Sequence, residues 1–209
     1  MPIKNIIFDL GGVILDLDFK QTFEAFDRLG AHHLEQWYSQ NKQDPLFDQF
    51  DVGKISPSQF RKTLMQKLNI TASDIAFDQA WNAMLLDLPK ERLDLIKKLR
   101  KQYKVFLFSN TNDIHLKEIF NICQRQHGFN SFAGYFDKEY YSNIFGMKKP
   151  DPQAFLKLIH ENHLLPQETV HIDDTMQHVL GAKQAGLHAI YLSKEQSIFD
   201  IDHLIQAIT

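Results

Sequence analysis

The sequence predicts an α/β fold: a parallel sheet wrapped by helices, with a helical insert soon after the first strand. Short apolar runs alternate with longer amphipathic stretches, three of those runs stop abruptly at a polar residue, and residues 18–87 carry helical periodicity without a convincing strand.

Ile6-Ile7-Phe8 is the first buried run, and it ends at Asp9. The insert follows, with Phe23, Phe26, Trp37, Phe60 and Trp81 at positions that suit core packing better than a pocket wall. Asp16 and Asp18 suit capping of its first helix, and Ser56-Pro57-Ser58-Gln59 offers a capping box for a later one. Residues 89–102 put Leu93, Ile96 and Leu99 on one helical face, with Pro89 in the first turn. Val105-Phe106-Leu107-Phe108 is a second strand, ending at Ser109, and a weaker strand is expected near Tyr140-Tyr141. Residues 152–163 read as a helix capped by Asp151, with Phe155, Leu158 and Ile159 together. Thr169-Val170-His171-Ile172 is a further strand, ending at Asp173. A helix over 175–185 stops at Gly186, and His188-Ala189-Ile190-Tyr191-Leu192 closes the set of strands.

Composition narrows the function classes. With 44% hydrophobic and 23% charged residues, the chain has the profile of a folded globular protein. A net charge of -3 gives no global field to attract nucleic acid or an anionic membrane, and no apolar run is long enough to span a bilayer. Cys123 is the only cysteine, so no intrachain disulfide forms; a small buried thiol in a helix and a cytoplasmic location are expected.

In a parallel sheet the carboxyl ends of the strands share one edge, and ligands bind in the crevice there. Asp9, Ser109, Asp173 and Asp174 would then converge from distant parts of the chain. Each alone is also what a turn requires; together they suit phosphoryl transfer. A carboxylate attacks phosphorus, oxygen ligands hold Mg²⁺, and a cation such as Lys149 in Gly146-Met147-Lys148-Lys149-Pro150 offsets the phosphate charge. Lys148 is expected to be a solvated surface lysine. His178 falls one helical turn after Asp174, within reach of the site or on the surface, and pairs such as His32 with His33 and His160 with His163 lack the partners of a metal centre.

These segments carry a resemblance. Phe8-Asp9-Leu10-Gly11-Gly12-Val13 resembles the first motif of the haloacid dehalogenase-like hydrolases, Ser109-Asn110-Thr111-Asn112 the second, Lys149-Pro150 the third and Ile172-Asp173-Asp174 the fourth, in family order across nearly the whole chain. The resemblance implies a Rossmann-like core at 1–17 and 88–209, a small all-helical cap at 18–87, and Mg²⁺-dependent hydrolysis of a small phosphorylated metabolite through an aspartyl-phosphate. It implies that Asp9 is nucleophile and metal ligand, and that the Gly11 carbonyl also ligates the metal. Ser109 and Asn110 would bind phosphate, and Lys149 would orient Asp9. Asp174 would complete the metal site, with Asp173 supporting it directly or through water.

One position departs from the pattern. Phosphatases of this family usually carry a general acid two residues after the nucleophile, where this chain has Gly11. The Asp-Leu-Gly opening, Asp16-Leu17-Asp18-Phe19 and the Ser-Asn-Thr-Asn run are similar to a subgroup with a bacterial α-D-glucose-1-phosphate phosphatase, which implies that activity persists and favours good leaving groups. Two other readings stand beside it: a weakened module that only binds a phosphoester or a protein, and carbon–halogen cleavage, which needs neither metal nor proton donor.

Overall fold

The computed structural model describes residues 2–32, 34–36, 44–193 and 195–208; His33 and Trp37 lie outside the described residues. Five strands, β1 (Asn5–Phe8), β2 (Lys104–Ser109), β3 (Lys138–Tyr141), β4 (Thr169–Asp173) and β5 (His188–Tyr191), form one all-parallel sheet in the order β3-β2-β1-β4-β5. Parallel neighbours need crossovers, which helices supply. In chain order the helices are α1 (Phe19–Arg28), α2 (Pro45–Asp51), α3 (Pro57–Leu68), α4 (Asp74–Asn82), α5 (Lys90–Leu99), α6 (Asp113–His127), α7 (Ser142–Phe145), α8 (Pro152–Glu161), α9 (Met176–Gln184) and, after the last strand, α10 (Ile201–Gln206). None is long and apolar enough to cross a membrane among the described residues.

Side chains alternate across the sheet, so each strand feeds two cores. Ile6, Phe8, Val105, Leu107, Val170 and Ile172 join the apolar faces of α5, α6 and α10 on one side. Ile7, Phe106 and Phe108 join Phe155, Leu158, Val179 and Ala182 of α8 and α9 on the other. Both faces are covered, which is why the strands read as continuous apolar runs. Register then sets the site. Phe8 lies opposite Leu107 and Ile172, so the chain leaves the centre of the sheet at Asp9, whose N–H donates to the Ile172 carbonyl at 2.9 Å. Ser109 and Asp173 end the two neighbouring strands at the same edge.

Helices α1 to α4 bury their apolar faces in a separate cluster with Phe26, Phe47, Phe50, Phe60, Phe77 and Trp81 at its centre. Phe60 stacks on Phe50 with centroids 4.1 Å apart and meets Phe77 edge-on at 5.9 Å. Local signals start the helices. Asp18 accepts from the Lys20 N–H at the head of α1, and Ser56 and Gln59 close a reciprocal box at the head of α3. Asp16 caps nothing; its carboxylate pairs with Arg92 at 2.8 Å. The chain enters and leaves this helical unit through two antiparallel segments that touch at Leu17 and Leu85, with the Asp16 N–H on the Asp87 carbonyl at 2.9 Å and the Leu86 N–H on the Asp16 carbonyl at 3.0 Å.

Because Phe60 touches four other rings of that cluster, Phe60→Ala is expected to cost about 3–5 kcal/mol, measured as the loss of unfolding free energy in urea. A loss below about 1 kcal/mol would mean that the cluster collapses around the void or contributes little.

Candidate active site

Asp9 is buried at the sheet edge, and the two hydrogen bonds its carboxylate accepts both fall on Oδ1: one from the Leu10 N–H at 2.7 Å, the other from Lys149 Nζ at 2.9 Å. Lys149 is fully buried, lies over the Phe108 ring at 5.6 Å, and reaches Asp173 Oδ2 at 2.7 Å with the same ammonium. Its backbone is fixed from the second strand. Asn110 Nδ2 donates to the Lys149 carbonyl at 2.8 Å, and the Lys149 N–H donates to Asn110 Oδ1 at 2.9 Å. The Asn110 side chain is therefore committed to the lysine. Ser109 and Thr111 line the same cavity, and Thr111 is held by a two-way hydrogen bond with Ser142 at 2.8 and 2.9 Å.

Asp173 is enclosed by donors. Lys149 Nζ and His171 Nε2 meet Oδ2, the Thr175 N–H meets Oδ1 at 2.8 Å, and His178 Nδ1 lies 3.0 and 3.1 Å from the two oxygens. His178 thus contacts the site, and its Nε2 accepts from Asn110 at 3.4 Å. Burial opposes charge on Asp173, yet Lys149 and the imidazoles hold its carboxyl well below the usual range. Burial raises the Asp9 carboxyl, Asp173 adds to that, and Lys149 opposes it. Lys149 itself is raised: burial disfavours its charge, but Asp173 and Asp9 outweigh burial.

Asp174 differs from its neighbour. Its Oδ1 accepts from Thr175 Oγ1 at 3.2 Å, and its Oδ2 lies against Gly12, where a Cβ would come within 2.0 Å. Gly12 also has φ +75°, so a glycine is required on both counts. Burial first, then the charges of Asp9 and Asp173, push the Asp174 carboxyl up to about 7. Three carboxylates around one lysine leave a deficit of positive charge, which is the electrostatic signature of a cation site.

Among the described residues, one trio of potential ligands has atoms within 4.8 Å of one another: Asp9, Asp173 and His178. Asp173 and His178 are close because they are hydrogen-bonded to each other, and Asp173 is saturated. Asp174, outside that trio, is the carboxylate with coordination capacity to spare. The oxygen donors Asp9, Asp174 and the Gly11 carbonyl fit Mg²⁺.

The cavity of about 300 Å³ is bounded by the helical unit as well as the sheet edge. Leu17 fills the space beside Gly11: a Cβ there would meet Leu17 Cδ1 at 2.5 Å. An apolar side chain thus stands where the usual acid would project. Lys148 corrects the sequence reading. It is not a solvated lysine but a bridge to α2, paired with Asp48 and, at 3.1 Å, with Asp51. Sequence reasoning also passed over Asp51, Asn112, His115 and His171. All four are buried; Asn112 falls in the second motif and His171 in a strand run, but neither was given a role, and nothing in the sequence marks Asp51 or His115. His115 stacks on Trp81 at 5.0 Å and is pulled to about 4 by burial, so it is neutral at physiological pH. Cys123 is inert, its thiol pushed up to about 12 by burial.

A raised carboxyl stabilises the fold only while protonated, so the contribution of Asp174 is full below its unfolded value and lost as pH rises through about 7. Asp174→Asn is expected to stabilise the metal-free protein at about pH 8 by up to roughly 4 kcal/mol, with the gain gone near pH ~4. Urea unfolding in chelator at both pH values measures it; an equal effect at both would remove the electrostatic account.

The chain is similar to known proteins. A family model for haloacid dehalogenase-like hydrolases matches residues 3–186. D-ribitol-5-phosphate phosphatase of Bacteroides thetaiotaomicron is 33% identical over 184 residues, covering 88% of this chain and 89% of that protein. Sesquiterpene phosphatase astK of Aspergillus oryzae is 24% identical, covering 91% and 90%. A wild-type HAD family enzyme of Bacteroides thetaiotaomicron, crystallised with magnesium and inorganic phosphate, is 33% identical and superposes with a TM-score of 0.85 over 95% of this chain and 98% of that one. With the motifs on one sheet edge and a family match over most of its length, the chain belongs to the haloacid dehalogenase-like hydrolases.

Proposed function

We propose that this protein is a Mg²⁺-dependent phosphatase that hydrolyses a small phosphorylated metabolite, a sugar or sugar-alcohol phosphate, through an aspartyl-phosphate on Asp9. The observation that carries it is the buried ammonium of Lys149 shared between Asp9 Oδ1 and Asp173 Oδ2. With Oδ1 anchored, Oδ2 is the attacking atom. It forms a bond to phosphorus while the ester P–O bond breaks and its electron pair leaves on the alcohol oxygen. Water then adds to the same phosphorus, the bond to Asp9 breaks, and inorganic phosphate departs. Ser109 and the backbone amide of Asn110 donate to the phosphoryl oxygens, while the Asn110 side chain keeps Lys149 in place. Asp173 serves as an anchor for Lys149 and as an indirect support of the metal. Held by Asp9, Asp174 and the Gly11 carbonyl, Mg²⁺ would supply the positive charge that lets a dianionic phosphate approach a carboxylate.

One relative, named for D-ribitol 5-phosphate, supports the sugar-alcohol class, and another, a sesquiterpene phosphatase, supports a small phosphorylated metabolite. The net charge of -3 and the buried thiol suit a small metabolite and a cytoplasmic setting.

Phosphate release from a panel of sugar, polyol and aryl phosphates is expected to need Mg²⁺ and to fall by about 10³-fold or more in Asp9→Asn. Activity that survives Asp9→Asn, or halide release from haloacids without metal, would overturn the reading. With Leu17 in place of an acid beside Gly11, kcat is further expected to fall as the leaving-group pKa rises across an aryl-to-alkyl series. Level turnover would mean that another group supplies the proton.

A further inference from the structure

Besides the strand-end residues, the cavity is lined by Leu17, Phe19, Met84, Leu85 and Ile119, and set among these apolar walls are Asp48, Asp51 and Lys148. A buried ion pair holds a fold together poorly, because desolvating two charges offsets most of their attraction. The Lys148 and Asp51 side chains are only 20% and 13% exposed, although α2 and the loop before α8 have open surface where such a pair would be cheaper. Their position therefore calls for another reason.

The chemistry is specific. Asp51 Oδ2 accepts from Lys148 Nζ at 3.1 Å, and Oδ1 accepts from Asn112 Nδ2 at 3.5 Å. A carboxylate has about four acceptor sites, so two remain. Two carboxylates and one ammonium also leave this part of the wall net negative. It suits hydroxyl donors, and it opposes a leaving group that carries its own carboxylate or second phosphate.

We propose that Asp51, with Lys148 and Asn112, reads the hydroxyls of the departing alcohol, and that this chain selects phosphate esters of neutral polyhydroxylated alcohols; the proposal rests on the phosphatase reading above. Asp51 is a specificity residue in this account, and the helical unit brings it to the nucleophile's cavity. The competing role, a latch that merely holds α2 against the core, would affect every ester alike.

The test compares kcat/KM for three esters of one chain length: D-ribitol 5-phosphate, n-pentyl phosphate, and 5-phospho-D-ribonate, which ends in a carboxylate. The wild-type protein with Mg²⁺ is expected to prefer the polyol to the alkyl ester by about 10²-fold or more, and to disfavour the ribonate. Asp51→Asn is expected to reduce the polyol-to-alkyl ratio by about 10-fold or more and to narrow the rejection of the ribonate. Lys148→Met, checked for folding by circular dichroism, is read by the same ratio if Asp51→Asn does not fold. A wild-type ratio near one, or variants that slow all three esters by one factor, overturns the proposal and leaves the phosphatase reading intact. No phosphate release from any ester, in folded wild-type protein with Mg²⁺, overturns both.

Discussion

Lys149 is the constraint around which the rest of the site is arranged. Its ammonium has no access to water and survives as a charge only because Asp9 and Asp173 flank it. Remove one carboxylate and a buried cation is left half-compensated; remove the lysine and two buried anions face each other. The protein stabilises this triad on every side. Asn110 grips the lysine backbone from the second strand, the two histidines and the Thr175 N–H saturate Asp173, and the central strand delivers Asp9 at the required height. Geometry and electrostatics are thus one problem with one solution.

That solution also divides the two adjacent aspartates between different tasks. Asp173, satisfied by four donor groups, stays ionised and structural; Asp174, packed against Gly12 and exposed to the fields of two other carboxylates, is the one in want of a cation. Sequence proximity hides this difference completely. It arises because successive residues at a strand end point to opposite sides of the sheet edge.

Much of the architecture was legible in the chain. Apolar runs buried on both faces announce strands, and the abrupt stops at Asp9, Ser109 and Asp173 put chemistry at their ends, because parallel strands share a carboxyl edge. Local caps at Asp18, Ser56 and Asp151 were readable for the same reason: each acts within three residues of itself. What escaped the sequence were contacts that close over long separations. Lys148 looks like any surface lysine until α2 folds across it, and nothing local announces that the Asn110 side chain clasps the Lys149 backbone. His171 sits within an apolar strand, and only the fold reveals that its ring faces Phe155 and Asp173.

The side-by-side entry and exit segments at Leu17 and Leu85 have a consequence for how such a chain can change. From the standpoint of the sheet, everything between them is a single surface loop that happens to have its own core. Its termini are a strand-pair apart, so another module with neighbouring ends would graft onto the same two stumps without altering strand order or the lysine-centred triad. The sheet that carries the triad and the helical unit inserted in it are therefore separable, free to be recombined.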